Sequence, residues 1–275
     1  MNKIIYLDID GTILDKNKNL GDLTRDAIIN VQKKGVKVAF ATGRTFAEVT
    51  ELAATLEINK NFKESICCNG SYVSNTNYFE PENVRTIETK SVKRIVDYLT
   101  LKEIKAYIID YLEPAIYFSN IKLDRYGVEQ GILPNMRVIE IDEYFNWNNV
   151  VLIALYCPKD KYDDLESFLK NKDLDIDFIC SKSSRKATDL FMISSKNTSK
   201  LVGIEYLNKK YNIKDEDVYI FGDGINDVEM IKRFKKNAYV PRSAPSYIKI
   251  LSENMIESPE NDGVGKKINQ LFDLK

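Results

Sequence analysis

The chain has 275 residues, 44% hydrophobic and 29% charged, the balance of a globular protein large enough for one sizeable domain or two modest ones. Its net charge of -1 lacks the basic field that a nucleic-acid or membrane-surface partner requires, so neither is expected. It contains no histidine, which excludes Ser-His-Asp hydrolysis, His-ligated zinc and phosphohistidine chemistry and leaves carboxylates, Lys, Tyr, Cys and the backbone to supply acids, bases and ligands.

The longest strongly apolar run, Val150–Cys157, is far short of the roughly 20 residues that span a bilayer. Near the N-terminus Asp8 interrupts the apolar stretch too early for a signal-peptide core, and a cytoplasmic location is expected. Cys67, Cys68, Cys157 and Cys180 lack the spacing of a zinc site or a redox Cys-x-x-Cys and read as reduced, buried small residues.

Ile4–Leu7 is apolar without polar alternation, the pattern of a central parallel strand covered on both faces. It runs directly into Asp8-Ile9-Asp10-Gly11-Thr12. Ligands of such sheets gather beyond the carboxyl ends of the strands, where both carboxylates fall; taken alone, the pentapeptide is equally a strand-ending turn. Leu23, Ala27, Ile28 and Val31 predict a helix over 23–34, closed by Gly35. A strand over 36–41 ends in Thr42-Gly43-Arg44, a helix covers 46–56, and a strand over 65–68 ends in Asn69-Gly70. Strand, helix, strand, helix, strand is the rhythm of a doubly wound fold.

Ser71–Glu80 then predicts a hairpin, and Pro81 breaks the chain. From about Asn83 a mixed unit follows: helix 92–100, strands 106–110 and 115–119, a helix-like stretch 122–130, strand 150–157, helix 162–170 and strand 177–180. The first rhythm returns with a strand at 189–193, helix 198–211 and strand 218–221. That last strand ends in Gly222-Asp223-Gly224, with Asn226 placed to cap a helix over 227–234. The expected layout is an α/β core, a doubly wound parallel sheet of residues 1–82 and 188–275, interrupted by an inserted α+β domain of residues 83–187.

Four strands thus end in polar, mostly glycine-containing turns that hold five of the chain's 12 glycines, and glycine admits both unusual backbone and close ligand approach. Carboxylates converging there repel by several kcal/mol per close pair at an effective dielectric near 20, and so need a cation. Asp8, the backbone carbonyl of Asp10, and Asp223 can supply oxygens to Mg²⁺, a hard ion suited to them, and Asp227 can steady a metal-bound water. Lys200 offers positive charge, and Thr42 and Asn226 offer uncharged donors. Arg44 either caps the far side of a substrate or pairs with a surface acid, and Asn69 serves either its own turn or the site. Arg125, Arg137, Lys182 and Arg185 in the inserted domain read as solvated surface.

In order, Asp8-Ile9-Asp10-Gly11-Thr12, Thr42-Gly43-Arg44, Ser199-Lys200 and Gly222-Asp223-Gly224-Ile225-Asn226-Asp227 resemble the four motifs of the haloacid dehalogenase-like hydrolases, in particular the Cof-type phosphatases with a type IIB cap after the third core strand. Asn69-Gly70 and Asn261-Asp262-Gly263-Val264 extend the match. The one local departure is Pro241-Arg242-Ser243-Ala244-Pro245, where the family runs through a Gly-Asn-Ala turn. The resemblance implies a Rossmann-like core and Mg²⁺-dependent hydrolysis of a phosphomonoester of a small metabolite, a sugar phosphate or a phosphorylated cofactor, selected by the cap. Asp8 would attack phosphorus to form an aspartyl-phosphate, and Asp10 would protonate the leaving oxygen and then deprotonate water. Thr42, Gly43, Arg44, Lys200 and Asn226 would bind the phosphoryl group or substrate, and Asp8, Asp10, Asp223 and Asp227 would form the metal site. Crowding by carboxylates and partial burial are expected to raise Asp10 above the ordinary ~3.9. A phosphomutase of the same superfamily and a non-catalytic phospholigand-binding regulator are the alternatives, and the motifs carry no information on oligomeric state.

Overall fold

β1 (Ile4–Leu7) has no exposed residue, as its unbroken apolar run requires. The computed structural model describes residues 2–122, 137–182 and 186–274. Contacts divide the chain into two compact units, one of residues 1–83 and 199–275 and one of residues 84–198.

In the first unit, α1 (Asp22–Lys33) turns Ala27, Ile28 and Val31 inward. β2 (Lys37–Phe40) pairs parallel with β1, Leu7 opposite Phe40. α2 (Phe46–Thr55) opens with the Glu48 carboxylate accepting the Thr45 N–H at 2.6 Å, which satisfies one orphan donor of the helix end. β3 (Glu64–Cys67) joins the end of β2 through a parallel bridge between Ala41 and Ile66. β4 (Tyr72–Asn75) and β5 (Pro81–Glu82) fold back antiparallel, so Pro81 begins a short strand opposite Ser74.

The second unit holds α3 (Thr89–Leu101), β6 (Ala106–Asp110), β7 (Ile116–Ser119), β8 (Arg137–Glu140), β9 (Val150–Pro158), α4 (Tyr162–Leu169), β10 (Ile176–Ser181) and β11 (Thr188–Ser195). Its sheet runs β10-β11-β9-β6-β7-β8, antiparallel apart from the parallel β7–β8 pair. Val92, Ile95 and Leu99 of α3 and Leu165 of α4 pack with Ile108, Ile153, Leu155, Phe191 and Ile193 into a core of its own. The strand expected to resume the doubly wound sheet at 189–193 is therefore corrected. It is β11, paired antiparallel with β9, Phe191 opposite Leu155, and with β10, Phe191 opposite Cys180. The helix-like stretch 122–130 lies, but for its first residue, outside the described residues.

The chain returns to the first unit with α5 (Lys200–Lys210), β12 (Val218–Phe221), α6 (Val228–Arg233), β13 (Ala238–Pro241), α7 (Ser246–Lys249), β14 (Asn254–Ile256) and α8 (Gly263–Phe272). β12 pairs with the free side of β1, giving a parallel sheet in the order β14-β13-β12-β1-β2. Before the second unit the chain builds outward from β1 in one direction, and afterwards in the other. The reversal falls at β1, and such a reversal opens the crevice at which α/β sheets bind ligands. Ile4, Tyr6, Ala39, Ile220 and Val240 face Ile204 and Leu207 of α5 and Met230 and Ile231 of α6. On the other face the Tyr219 ring meets Phe272 of α8 at 5.2 Å.

α8 also closes against α1 through the turn before it. The Asp262 carboxylate accepts the Thr24 N–H at 2.9 Å and the Thr24 hydroxyl at 2.7 Å, and so caps α1 from the far end of the chain. Among the described residues no helix is long and apolar enough to cross a membrane.

Candidate active site

Asp8 follows β1, and its N–H makes the last rung to the Phe221 carbonyl at 2.9 Å. Its side chain is buried at the sheet edge, where its Oδ1 accepts from Lys200 Nζ at 2.5 Å. Lys200 opens α5, is fully buried, and gives a second bond of 2.6 Å to Asp227 Oδ1. The other Asp227 oxygen accepts the N–H groups of Asp223 and Gly224 at 2.9 and 2.8 Å. Thr12 donates to Asp223 Oδ1 at 2.9 Å. Gly11 turns the chain between Asp10 and Thr12 with φ +86, and a Cβ there would fall 2.4 Å from Asp223 Oδ2, so both backbone and space demand glycine.

Asp8, Asp223 and Asp227 bring carboxylate oxygens within 4.8 Å of one another and face one ammonium, an excess of two negative charges when all three are ionised. Burial raises the Asp8 carboxyl well above its usual range, Lys200 opposes the rise, and Asp227 and Asp223 add to it. Burial and then the Asp227 charge push Asp223 up to about 6, against the Thr12 hydrogen bond and Lys200. For Lys200 burial acts downward, but Asp227 and Asp8 outweigh it and hold the ammonium above its ordinary value. Surplus charge on hard oxygen donors fits a divalent ion such as Mg²⁺. Asp227, with both oxygens bound to protein donors, is suited to an indirect role.

Asp10 has different neighbours. Its Oδ2 accepts from Arg44 Nε at 2.9 Å, and its Oδ1 from Arg44 Nη2 at 2.7 Å and from Lys18 Nζ at 2.5 Å. The expected rise in its pKa is corrected: burial does push upward, but the Arg44 hydrogen bonds and charge, joined by Lys18, bring it down to about 2. The carboxylates crowd around Lys200, not around Asp10, whose side chain leaves only its backbone carbonyl for a metal role. The acid that Arg44 pairs with is thus Asp10, and the Arg44 side chain is only 11% exposed.

Lys18 was not singled out by the sequence. It stands with φ +67 in a loop that Asp15 staples by accepting the N–H groups of Asn17 and Asn19, each at 2.8 Å. The Asp15-x-Asn17-x-Asn19 spacing is the one local signal of that loop.

Thr42 donates its N–H to Ile66, and its hydroxyl accepts the Arg44 N–H at 3.2 Å. Its carbonyl accepts the Asn69 N–H at 2.8 Å, and the Arg44 carbonyl accepts the Cys68 N–H at 2.9 Å. The expectation that Asn226 caps the helix is corrected: its Nδ2 donates to Asn69 Oδ1 at 2.9 Å, while Asp227 accepts the part-buried amides of Asp223 and Gly224. Gly43 lies beside the same Asn69 oxygen. Gly70, at φ +96, presses on the Ser199 carbonyl, where a Cβ would come within 2.0 Å. In the second unit Arg137 and Lys182 are exposed, Lys182 over the Tyr162 ring at 4.3 Å. Arg125 and Arg185 lie outside the described residues.

Three carboxylates and a buried lysine stand at the reversal of strand order of a doubly wound sheet, a group of oxygen donors that could hold a metal ion. The model of the haloacid dehalogenase-like hydrolases matches residues 5–268, and the chain belongs to that family. It is 25% identical over 268 residues to a Bacillus subtilis 5-amino-6-(5-phospho-D-ribitylamino)uracil phosphatase, covering 97% of this chain and 94% of that one. The crystal structure of a haloacid dehalogenase-like hydrolase from Bacteroides thetaiotaomicron superposes with a TM-score of 0.84 at 21% identity, covering 99% of this chain and 100% of the other. A subclass IIB sugar phosphatase gives 0.78 at 17% identity, with coverage of 99% and 100%. At those identities the two structures speak for the fold.

Proposed function

We propose that the protein is a Mg²⁺-dependent phosphatase that hydrolyses the phosphomonoester of a small metabolite through an aspartyl-phosphate on Asp8. The observation that carries this reading is the Asp8 carboxylate held at 2.5 Å by the fully buried Lys200, beside Asp223 and Asp227. Lys200 favours the ionised, nucleophilic form of Asp8 against the pull of burial. When bound, Mg²⁺ supplies the positive charge that lets an anionic phosphoryl group approach these carboxylates. Asp8 and Asp223 would hold it with the Asp10 carbonyl, and Asp227 would act through a water.

Thr42, Gly43 and Asn226 offer donors to phosphoryl oxygens, and Lys200 offsets charge as it develops. Asp10 stands ionised between Arg44 and Lys18, the form that takes a proton from water in the second half-reaction. To protonate the leaving oxygen in the first half it must exchange one of those cations for a proton. The names of the sugar phosphatase and the ribitylamino-uracil phosphatase support a phosphorylated sugar or sugar-like chain as substrate class.

The test is phosphate release over a panel of sugar phosphates, nucleotides, pyridoxal phosphate and flavin mononucleotide, with Mg²⁺ added or chelated. Release that requires Mg²⁺ and disappears in Asp8→Asn is expected. Turnover by Asp8→Asn would overturn the covalent route, and dependence on a bisphosphate activator would make the protein a mutase.

A further inference from the structure

We infer that Asn69 is a positioning residue for phosphoryl binding: it acts through Asn226 and the Thr42 loop without itself touching the substrate. The inference rests on the phosphatase reading above.

Asn69 is 6% exposed and holds a left-handed backbone, φ 56 and ψ 29. Glycine and asparagine both adopt that region, as Asn83, Asn197 and Asn212 do elsewhere in this chain, so the backbone alone assigns no task. Here a buried amide occupies it, and its side chain has a defined task. Its Oδ1 accepts the Asn226 amide at 2.9 Å, and its N–H binds the Thr42 carbonyl at 2.8 Å. The loop after β2 and the loop after β12 belong to strands separated by β1. Asn69 is thus a bridge from one to the other, across the edge where Asp8 emerges. The next residue, Gly70, sits against the Ser199 carbonyl at the start of the helix that carries Lys200. One turn therefore sets the relative position of three phosphate-handling loops.

Without the Asn69 oxygen, Asn226 is free to rotate, and fixing it again on phosphate costs the entropy of one side chain. Phosphate is held in substrate, transition state and product alike, so the loss falls on KM and leaves kcat nearly unchanged.

The experiment uses Asn69→Gly, which keeps the left-handed backbone, alone and combined with Asn226→Ala. p-Nitrophenyl phosphate serves as substrate, and inorganic phosphate binding is followed by calorimetry. Asn69→Gly should raise KM and the phosphate Kd together by roughly 5–10-fold with kcat within about twofold. In the Asn226→Ala background it should add nothing, because the two act as one unit. Asn69→Asp, which keeps an oxygen facing the Asn226 amide, should retain the full penalty of Asn226→Ala, which Asn69→Gly lowers by the same roughly 5–10-fold. This gives a reading even if the glycine variant folds poorly.

Native affinity in Asn69→Gly, or full additivity with Asn226→Ala, would overturn the inference while leaving the phosphatase reading intact. A native protein that neither releases nor binds phosphate would overturn both.

Discussion

Arg44 grips both oxygens of Asp10, through Nε at 2.9 Å and Nη2 at 2.7 Å, and so ties the turn after β1 to the turn after β2. With Lys18 it holds the Asp10 carboxyl at about 2, below the ordinary ~3.9 of an aspartate. The folded state therefore binds fewer protons than the unfolded state between those values. The pair contributes stability above about pH 4 that is lost as pH falls toward about 2. Arg44→Met should be less stable than the native protein near neutral pH by about 1 kcal/mol or less, since Asp10 is 39% exposed and water screens the pair. Urea midpoints should converge as the pH is lowered through that window, and a constant difference would contradict the assignment.

Lys200→Met removes a fully buried ammonium that bonds both Asp8 and Asp227. Breaking a buried ion pair from one side strands the remaining charge, at a cost of about 3–5 kcal/mol. Denaturant unfolding should show that loss, with Mg²⁺ restoring part of it, and turnover should fall at least ~100-fold. A change under about 1 kcal/mol would mean that water reaches the cluster.

Much of this site was legible because its signals are local. An apolar run followed by carboxylate and glycine marks the ends of β1 and β12, whereas the lysine at the start of α5 is singled out only by its Ser199-Lys200 motif. What escaped depends on distant partners. Within 189–193, Leu190, Phe191, Met192 and Ile193 are apolar on both faces, like a central parallel strand, and only their pairing with β9 reveals an antiparallel one. The direction of the Asp10 side chain is likewise absent from spacing, as is the left-handed residue that delivers Lys18 to it. Asn226 has the composition of a helix cap, yet its partner, Asn69, lies 157 residues away.

Asp223, raised to about 6, keeps a proton over a range where the unfolded chain has lost it. Without Mg²⁺ this term makes the protein less stable as pH rises from about 4 through about 6. Mg²⁺ must displace that proton, so its affinity should grow across the same interval. Titration calorimetry in buffers of different ionisation enthalpy should detect proton release through about pH 6, to which the raised Asp8 adds as it too gives up its proton. Affinity independent of pH would remove Asp223 from the metal site.

Asp262→Ala tests the cap on α1. Both Thr24 bonds disappear, at a cost of about 1 kcal/mol in stability. Because Asp262 stands apart from the carboxylate cluster, kcat and KM should be unchanged. A large kcat loss at unchanged stability would give Asp262 a part in the chemistry.

The sheet order also fixes a timetable for synthesis. β1 meets β2 almost as soon as both leave the ribosome, but its other neighbour, β12, begins only at Val218. The whole 84–198 unit is made in the interval. At ordinary translation rates the open side of β1 waits on the order of ten seconds or longer. During that time the strand bearing Asp8 presents unpaired backbone to the cell, and nascent-chain chaperones have their longest opportunity there.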